Sequence, residues 1–520
     1  MPSENTIKSA GAYPKQRGTS SVLRETVSPL LCITSCMALP IVFSYLFFLG
    51  QSLRLDEAQS LWQTSRSFGD IFTVVAGDVH VPLYHIVLRF WRLYVGESIT
   101  SARALSLLFY VISIPALYEV ASYAYNRRVA LFSILLFSLS PFMNWYGNEV
   151  RMYTLFTFFV ILNQYFYLRI LREKTPRDGV WAGYILTALL GVFTHYFFFL
   201  NLAAEALFYF LRRDLFARGS FKRFVFAAGI VGVCFVPWGL YVVKLGTAGF
   251  QEPVLALPSS VDFFNAFGQF LYGFQTDNIN TFFLSLWPIT VILGLIALRR
   301  NRAFMPESEY FLATILLSFG IAFFGSFVIA PVFVSRYLIF TIPSLYILLA
   351  SLFENYLPPV RNMAQWSFAC LMIAGLMLEI VNPTMPVKEN YAQAVAFIND
   401  HVNAQDSVIL SAPFTIYPVQ YYYRGSAPLL TLPIWNQYTY GAIPVFTENN
   451  LPQEVKEDVG ASQDIYLLLS YNQGYENNIK NYFDSHYQMV YQQNFSNDLN
   501  LYVYKARYDT STSAIASRLQ

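Results

Sequence analysis

LRLDEAQSLWQTSRSFGDIFTVVAGDVHVPLY, residues 53–84, is the stretch that decides the fold class. It follows a long apolar run, begins with the adjacent carboxylates Asp56 and Glu57, and ends near Asp78 and His80. Polar groups of this kind are costly inside hydrocarbon. The stretch therefore lies where a first membrane helix would emerge, and we interpret it as the floor of a functional site at a membrane surface.

The composition of the chain indicates a membrane protein. Of 520 residues, 55% are hydrophobic and only 13% are charged, whereas soluble domains carry about 25% charged residues. Apolar runs near 20 residues recur along the chain, so we predict a polytopic α-helical membrane protein. The net charge of +2 does not indicate nucleic-acid binding, because the basic residues are dispersed. The four cysteines lack metal-type spacing, and we interpret them as core residues.

Clusters of lysine and arginine orient the predicted spans. Residues 1–26 form a basic tail that we expect in the cytoplasm, and the following run is too long for a signal-peptide core, so we predict a retained first helix. The predicted transmembrane domain covers residues 27–381. Its spans, about eleven, are 28–50, 102–124, 129–146, 152–171, 180–195, 197–212, 224–244, 280–298, 309–330, 337–353 and 363–381. The cytoplasmic clusters are Arg127 and Arg128; Arg172, Lys174 and Arg177; Arg212, Arg213, Arg218, Lys222 and Arg223; and Arg299, Arg300 and Arg302.

The remaining isolated ionisable groups then face the opposite side of the membrane. The basic clusters alone set the topology, and nothing in that rule required the other charged residues to converge on one face. We therefore predict a site at the non-cytoplasmic surface, built from several turns. Its candidate residues are Asp56, Glu57, Asp78, His80, Glu149, Arg151, His195 and Arg336.

Two outer segments need separate interpretation. Segment 81–96 is apolar but short, and a span there would place the basic clusters outside, so within the first outer loop (51–101) we predict interfacial helices. We expect one or two more such helices over residues 57–77, broken at Gly69 and Gly77. The loop 245–279 is either a mobile lid or an ordinary solvated connection.

The composition changes after residue 381. Helix-like and strand-like pieces alternate over residues 382–508, which predicts a small extracytoplasmic α/β domain with a mostly parallel sheet. It has no glycine-rich phosphate loop, so we predict no nucleotide. We interpret it as a lid or as a guide for an acceptor, and we expect residues 509–520 to be a disordered tail.

The candidate residues suit chemistry on a lipid-linked phosphate. An aspartate at a membrane surface can act as general base toward a hydroxyl within hydrogen-bond reach. Arginines pair bidentately with phosphate oxygens, and the aromatic residues, 18% of the chain, can stack on sugar rings or isoprenoid tails. The expected partners are thus a polyprenyl-phosphate sugar donor, a hydroxyl acceptor and membrane lipid, without nucleic acid.

Several short blocks resemble the polytopic membrane glycosyltransferases of the C superfamily, most closely the bacterial branch of the protein mannosyltransferase and aminoarabinose transferase type. The resemblance covers roughly residues 28–381. Its blocks are Asp56-Glu57; residues 78–84, similar to the family's His-Pro-Pro-Leu-Tyr; Arg103-Ala104-Leu105-Ser106; residues 140–142 and 149–153; residues 194–196; and Ser335-Arg336-Tyr337 followed by Pro343. Val81 departs from the family's first proline, so the turn that aims His80 is less constrained.

This resemblance implies an inverting transfer of a sugar from polyprenyl phosphate to a hydroxyl of a lipid, glycan or protein on the non-cytoplasmic face. It implies Asp56 as the general base. The residues expected to contact substrate are Glu57, His80, Tyr84, Glu149, Arg151, His195, Arg336 and Tyr337. Some relatives bind a divalent metal near such residues and others do not, so the resemblance predicts neither the presence nor the absence of a metal in this chain.

Two other functions compete with the transferase. A transporter or flippase of lipid-linked sugars would need charges along a path through the bilayer midplane, whereas these charges lie at one surface. It would also favour paired interrupted helices in two halves, and the sequence has none that we recognise. A membrane scaffold would have no reason to gather acids, histidines and arginines from separate loops.

Overall fold

The fold is described from a computed structural model. It describes residues 19–78, 80–245, 256–285, 305–381, 388–438, 443–460, 462–496 and 498–506. Outside these ranges lie most of the predicted tail 1–26, parts of the loop 245–279 and of the span 280–298, the arginines at 299, 300 and 302, and the tail 509–520.

The first part of the chain is almost entirely helical, because its apolar runs satisfy their backbone groups internally, as hydrocarbon requires. A π-helical turn, Ser44–Phe48, follows the first helix. The helices are α1 (Thr19–Phe43), α2 (Leu55–Thr64), α3 (Phe68–Gly77), α4 (Leu83–Val95), α5 (Ile99–Ala124), α6 (Arg127–Leu139), α7 (Pro141–Gly147), α8 (Tyr153–Arg172), α9 (Asp178–Val192), α10 (Phe198–Leu211), α11 (Ser220–Leu245), α12 (Ser260–Tyr272) and α13 (Asp277–Ser285).

Three more long elements complete the membrane part of the described chain. They are α14 (Pro306–Val328), a 3₁₀ turn (Ser335–Thr341) that continues into α15 (Ile342–Phe353), and α16 (Pro358–Val381). The helix α5 packs against both α6 and α8, and α1 packs against α5 and α6.

The polytopic membrane architecture is confirmed. Within the described residues, 7 segments are long and apolar enough to cross a membrane, or 8 if the pair α6 and α7, bent by 59°, counts as one span. The predicted spans 180–195 and 197–212 correspond to α9 and α10, apolar helices of 15 and 14 residues. The predicted number of eleven stays a prediction. The seven segments are Pro29–Phe48, Ile99–Ala124, Tyr153–Arg172, Ser220–Leu245, Pro306–Val328, Ser335–Phe353 and Pro358–Val381.

The first outer loop consists of the three short helices α2, α3 and α4. At 13 residues α4 is too short to span a bilayer, as predicted for segment 81–96. The expected break at Gly69 was wrong, because α2 ends at Thr64 and Gly69 lies inside α3. Ser67 caps the N-terminus of α3 instead, because its hydroxyl accepts a hydrogen bond from the backbone N–H of Asp70 at 3.3 Å.

The C-terminal part is a five-stranded sheet with helices on it. Its strand order is β2-β1-β3-β5-β4, in which β1 pairs in parallel with β2 and β3, whereas β5 pairs antiparallel with β3 and β4. The elements are α17 (Tyr391–His401), β1 (Ser407–Ser411), α18 (Ile416–Tyr422), β2 (Leu429–Thr431), α19 (Leu451–Val459), β3 (Asp464–Leu469), α20 (Glu476–His486), β4 (Tyr487–Ser496) and β5 (Leu499–Ala506).

The predicted small α/β unit is present, but the expectation of a mostly parallel sheet was wrong. Only two of the four strand pairings are parallel. The physical reason is the short link between β4 and β5, which joins neighbouring strands as a hairpin and leaves no room for a crossover helix. The sheet unit contacts the first outer loop, because α18 packs on α2 and the Tyr422 hydroxyl accepts a hydrogen bond from the Leu53 N–H at 2.9 Å.

Arg92 ties α4 to α2, and its removal tests this contact. Its Nη1 donates to the Leu61 carbonyl at 2.7 Å and to the Thr64 hydroxyl at 2.8 Å. We expect Arg92→Leu to lower the free energy of unfolding by about 1–3 kcal/mol, because buried acceptors lose their donor. Arg89→Leu, a more exposed arginine one turn earlier, should cost about 0.5 kcal/mol or less. Thermal melting of the purified protein compares the two, and equal melting temperatures would contradict the assignment.

Candidate functional site

The two adjacent carboxylates at the start of α2 face in different directions. Arg54 precedes the helix in an extended conformation, and its N–H donates to Glu57 Oε2 at 3.0 Å. Acidic side chains in the first turn also stabilise a helix electrostatically. Because neighbouring helical residues are turned by about 100°, Glu57 points into the protein with no exposed side-chain surface, whereas Asp56 is 21% exposed.

Glu57 is held by five donors. Arg103 binds it with Nε to Oε1 and Nη2 to Oε2, both at 2.8 Å, and the Lys388 ammonium lies 3.1 Å from Oε2. The backbone N–H of Val150 donates to Oε1 at 3.1 Å. Burial alone would raise the pKa of Glu57, but Lys388 and Arg103 outweigh it and lower the pKa to about 2. These contacts hold the first turn of α2 in place, and we call Glu57 with its donors the anchor. The predicted contact of Glu57 with substrate stays a prediction.

Arg103 also fixes the chain that leads into α2. Its Nη1 donates to the Gln51 carbonyl and its Nη2 to the Ser52 carbonyl, each at 2.8 Å. Arg103 lies at the start of α5, so one side chain connects the exit of the first span, the first turn of α2 and the second span. The position of Asp56 follows from this connection.

Asp56 lies among arginines that come from three parts of the chain. Its Oδ2 is 3.5 Å from Nη1 of Arg336, and Nη1 of Arg151 donates to the Asp56 carbonyl at 3.3 Å. Burial would raise the pKa of Asp56, but Arg151, Arg336 and Arg54 outweigh it and hold the pKa well below its usual value. Asp56 is therefore an ionised, partly accessible carboxylate, which can accept a hydrogen bond from a hydroxyl.

His80 is a neutral acceptor in the site. Nη2 of Arg151 lies 2.7 Å from its Nε2, and because a guanidinium can only donate, that nitrogen carries no proton. Burial, followed by the charge of Arg151, holds the pKa of His80 well below its usual value. Asp78 accepts hydrogen bonds from Gln59 at 3.1 Å and Gln63 at 2.8 Å. Because both glutamines belong to α2, this helix also positions the start of the segment 78–84.

Glu149 contacts Arg54, the residue that precedes α2. Its Oε1 accepts hydrogen bonds from the Trp145 indole at 2.9 Å and from Nη1 of Arg54 at 3.2 Å. The turn that follows α7 places it there, directly before the N–H of Val150 that binds Glu57. Two predicted site residues, Glu149 and Arg151, thus flank one anchoring backbone group.

His195 and Tyr337 form an aromatic wall. The His195 ring stacks on Phe156 with centroids 4.7 Å apart and lies 5.4 Å from the ring of Tyr337. Its Nδ1 accepts the N–H of Phe197 at 3.1 Å, so Nε2 carries the proton of the neutral ring and can donate. The guanidinium carbon of Arg336 is 5.6 Å from the Tyr337 ring centroid. Tyr84, another predicted substrate contact, does not belong to this wall. It lies in the apolar core, where it is 1% exposed.

The structure adds residues that the sequence interpretation did not select as site residues: Arg54, Arg103 and Lys388. Arg103 belongs to the block Arg103-Ala104-Leu105-Ser106 of the family resemblance, but the sequence predicted no role for it. Lys388 reaches back from the segment after the last span, where its Nζ donates to the Asn148 carbonyl at 2.6 Å. Like Arg151 and Arg336, it is a basic residue on the predicted outer side.

The donor set around Asp56 does not fit a metal ion. Within the described part of the chain, no three His, Cys, Asp or Glu side chains are arranged to hold one. The groups nearest to Asp56 are guanidiniums, which compete with a cation for the carboxylate oxygens. We therefore derive no step through a metal.

Comparison with known proteins identifies the fold. Residues 79–241 match the model of the dolichyl-phosphate-mannose-protein mannosyltransferase family. Among solved structures, ArnT from Cupriavidus metallidurans in the apo state is similar with a TM-score of 0.63 and 13% identity, covering 92% of this chain and 98% of that one. The same protein bound to undecaprenyl phosphate is similar with a TM-score of 0.57 and 13% identity, over 94% and 98% of the two chains. No curated protein matches the chain by sequence. The resemblance to polytopic membrane glycosyltransferases of the C superfamily is thus confirmed.

Lys388 offers a test of the anchor. We expect Lys388→Met to lower the free energy of unfolding by about 1–3 kcal/mol near neutral pH, because the Asn148 carbonyl loses its donor. Burial, partly offset by Glu57, lowers the pKa of Lys388 from 10.5 to about 8. Between these two values the unfolded chain binds more protons, so the wild type gains stability relative to the variant as pH rises. Thermal melting of both proteins at several pH values measures the difference, and a deficit that shrinks above pH 8 would contradict the assignment.

Proposed function

We propose that this chain, which has the fold of a membrane glycosyltransferase, transfers a sugar from a polyprenyl-phosphate donor to a hydroxyl acceptor on the non-cytoplasmic face, with inversion. The observation that carries the proposal is the ionised carboxylate of Asp56 beside Arg336 and Arg151. The Asp56 carboxylate can take a proton from a hydroxyl. The guanidiniums of Arg151 and Arg336 can bind a phosphate in the same small site.

The chemistry is a single displacement. The acceptor oxygen attacks the anomeric carbon while its proton passes to Asp56, and the bond from that carbon to the phosphate oxygen breaks. Polyprenyl phosphate leaves with a new negative charge, which the guanidiniums of Arg151 and Arg336 neutralise. Attack opposite to the leaving group inverts the configuration. A carboxylate of low pKa is a weak base, but its negative charge also stabilises positive charge that develops on the sugar ring.

The donor carrier is proposed from the chemistry of the site and from the similar fold. ArnT from Cupriavidus metallidurans is known bound to undecaprenyl phosphate. In this chain the aromatic wall of His195 and Tyr337 adjoins Arg336, so a sugar or the first isoprene unit can pack beside a bound phosphate. His80 and the Nε2–H of His195 offer further hydrogen bonds to the sugar.

The proposed sidedness follows from the length of α8. Arg151 stands just before its first residue, and Arg172 is its last. A helix of 20 residues is about 30 Å long, the thickness of the hydrocarbon core. We therefore assign Arg151 to one membrane surface and the cluster at 172–177 to the other. The cluster at 212–223 is assigned to the side of Arg172, because Arg172 pairs with Glu307 and Arg212 with Glu309, both in the first turn of α14. Because lysine and arginine are enriched on the cytoplasmic side, we assign Asp56 to the outside.

The C-terminal unit, residues 382–508, is proposed as an extracytoplasmic domain over the site. Lys388, at its start, binds Glu57, and the Ala392 N–H donates to the Ser52 hydroxyl at 3.2 Å. These contacts connect the domain to the anchor of Asp56, so we propose that it positions the acceptor. The competing transporter would need its charges at the midplane, and this site lies beside short helices of the outer loop.

Asp56→Asn tests the base. We expect loss of sugar transfer by about 10²–10⁴-fold with the melting temperature kept close to that of the wild type. The assay uses purified protein and a radiolabelled polyprenyl-phosphate sugar. Asp70→Asn is the control, since Asp70 is an exposed carboxylate in the first turn of α3 in the same loop. Full transfer by Asp56→Asn would remove Asp56 as the base.

Arg336→Gln tests the phosphate contact. We expect the KM for the donor to rise about tenfold or more, because one charged hydrogen-bond donor to the phosphate is lost. Arg336 also lowers the pKa of Asp56, so the acid limb of kcat/KM should move to higher pH. Arg361→Gln, a partly buried arginine paired with Glu354 at 3.2 Å, is the control and should change neither. An unchanged KM and pH profile in Arg336→Gln would exclude the role.

A further inference from the structure

A large apolar groove lies away from Asp56, between α10 and α11 with α9 as its floor. It encloses about 450 Å³, within the range of small-molecule sites. Small residues keep it open, and an added side-chain carbon at Gly232 would meet no atom within 4 Å. Residues on its walls include Ala203, Ala206, Phe210, Ala228, Val231 and Gly232.

The groove runs along α10. On α10 it extends from Phe199 to Phe210, which is about 16 Å of helix. The one carboxylate on its wall is Glu205, whose oxygens accept hydrogen bonds from Tyr184 at 2.8 Å, Asn201 at 3.0 Å and Tyr310 at 3.2 Å. Glu205 is therefore satisfied by the protein, and the surface left for an occupant is apolar.

One end of the groove opens beside exposed cations. Arg213, Arg218 and Lys222 are exposed in and after the link between α10 and α11. Within the described residues none of the three has a carboxylate at ion-pair distance, whereas Arg212 pairs with Glu309 and Arg223 pairs with Asp178 at 3.0 Å. The guanidinium carbon of Arg213 lies 5.6 Å from the ring centroid of Phe221, a residue of the groove wall. Arg213 is thus next to the groove wall, and Lys222 directly follows Phe221 in the chain.

We propose that this groove binds an anionic phospholipid of the leaflet opposite to Asp56. One acyl chain would lie along α10, and the phosphate would bind Arg213, with Lys222 in the first turn of α11 adding positive charge. An apolar groove between membrane helices that ends beside a surface cation is complementary to an acyl chain that ends in a phosphate. An unfilled groove would also lose dispersion contacts on both walls. The proposal does not depend on the transferase activity.

The test uses the full-length protein in detergent, titrated with phosphatidylglycerol or phosphatidylcholine of identical acyl chains. We expect phosphatidylglycerol to raise the melting temperature more than phosphatidylcholine. The variant Arg213→Gln/Lys222→Gln should weaken apparent phosphatidylglycerol affinity about tenfold or more. Gly232→Leu, which fills the groove, should remove most of the phosphatidylglycerol effect. Arg127→Gln/Arg128→Gln removes two basic residues of another cluster and should leave the affinity unchanged.

Three outcomes would overturn the proposal. Equal stabilisation by the two lipids would remove the preference for a net negative headgroup, because the phosphate of phosphatidylcholine is balanced by its own quaternary ammonium. An unchanged phosphatidylglycerol affinity in Arg213→Gln/Lys222→Gln or in Gly232→Leu would place binding elsewhere. If undecaprenyl phosphate stabilises the wild type but not Gly232→Leu, while phosphatidylglycerol has no effect on either, the groove holds a polyprenyl chain instead.

Discussion

The buried ion pair of Glu57 and Arg103 is the contact on which the site depends. Neither side chain is more than 1% exposed, so both charges have left water at considerable cost. The cost is offset because the pair is bidentate and because Lys388 and two backbone N–H groups satisfy the remaining positions on Glu57. Removing one partner of such a pair costs about 3–5 kcal/mol, since the other charge stays buried.

This anchor explains why Asp56 is available for chemistry. Helical geometry turns Asp56 away from Glu57, so one carboxylate is consumed by structure while its neighbour faces an accessible space. Arg151 and Arg336 then supply positive charge that the anchor does not neutralise. A site with excess positive charge around one carboxylate is suited to an anionic group such as a phosphate.

The bilayer separates two polar regions of the molecule. Hydrocarbon tolerates few charges, so ionisable side chains collect at the ends of the long helices, and α8 and α10 connect the two ends. At one end, short helices and aromatic rings surround Asp56 and Arg336. At the other, cations of the link between α10 and α11 border an apolar groove. The same constraint therefore underlies both the site proposed for sugar transfer and the groove proposed to bind a lipid.

The sequence by itself determined the membrane class and most of the candidate residues. Hydropathy marks the long helices because a bilayer rewards apolar runs of about 20 residues, and isolated charges such as Arg151 and Arg336 are conspicuous against such runs. Only the tertiary structure decided the division of labour between Asp56 and Glu57, the contacts of Arg103 and Lys388, and the antiparallel half of the C-terminal sheet. These depend on which side chains meet across distances of up to 331 residues, as for Glu57 and Lys388 (388 − 57). Local pattern carries no information on such pairings, because a buried charge and an exposed one look alike in a sequence.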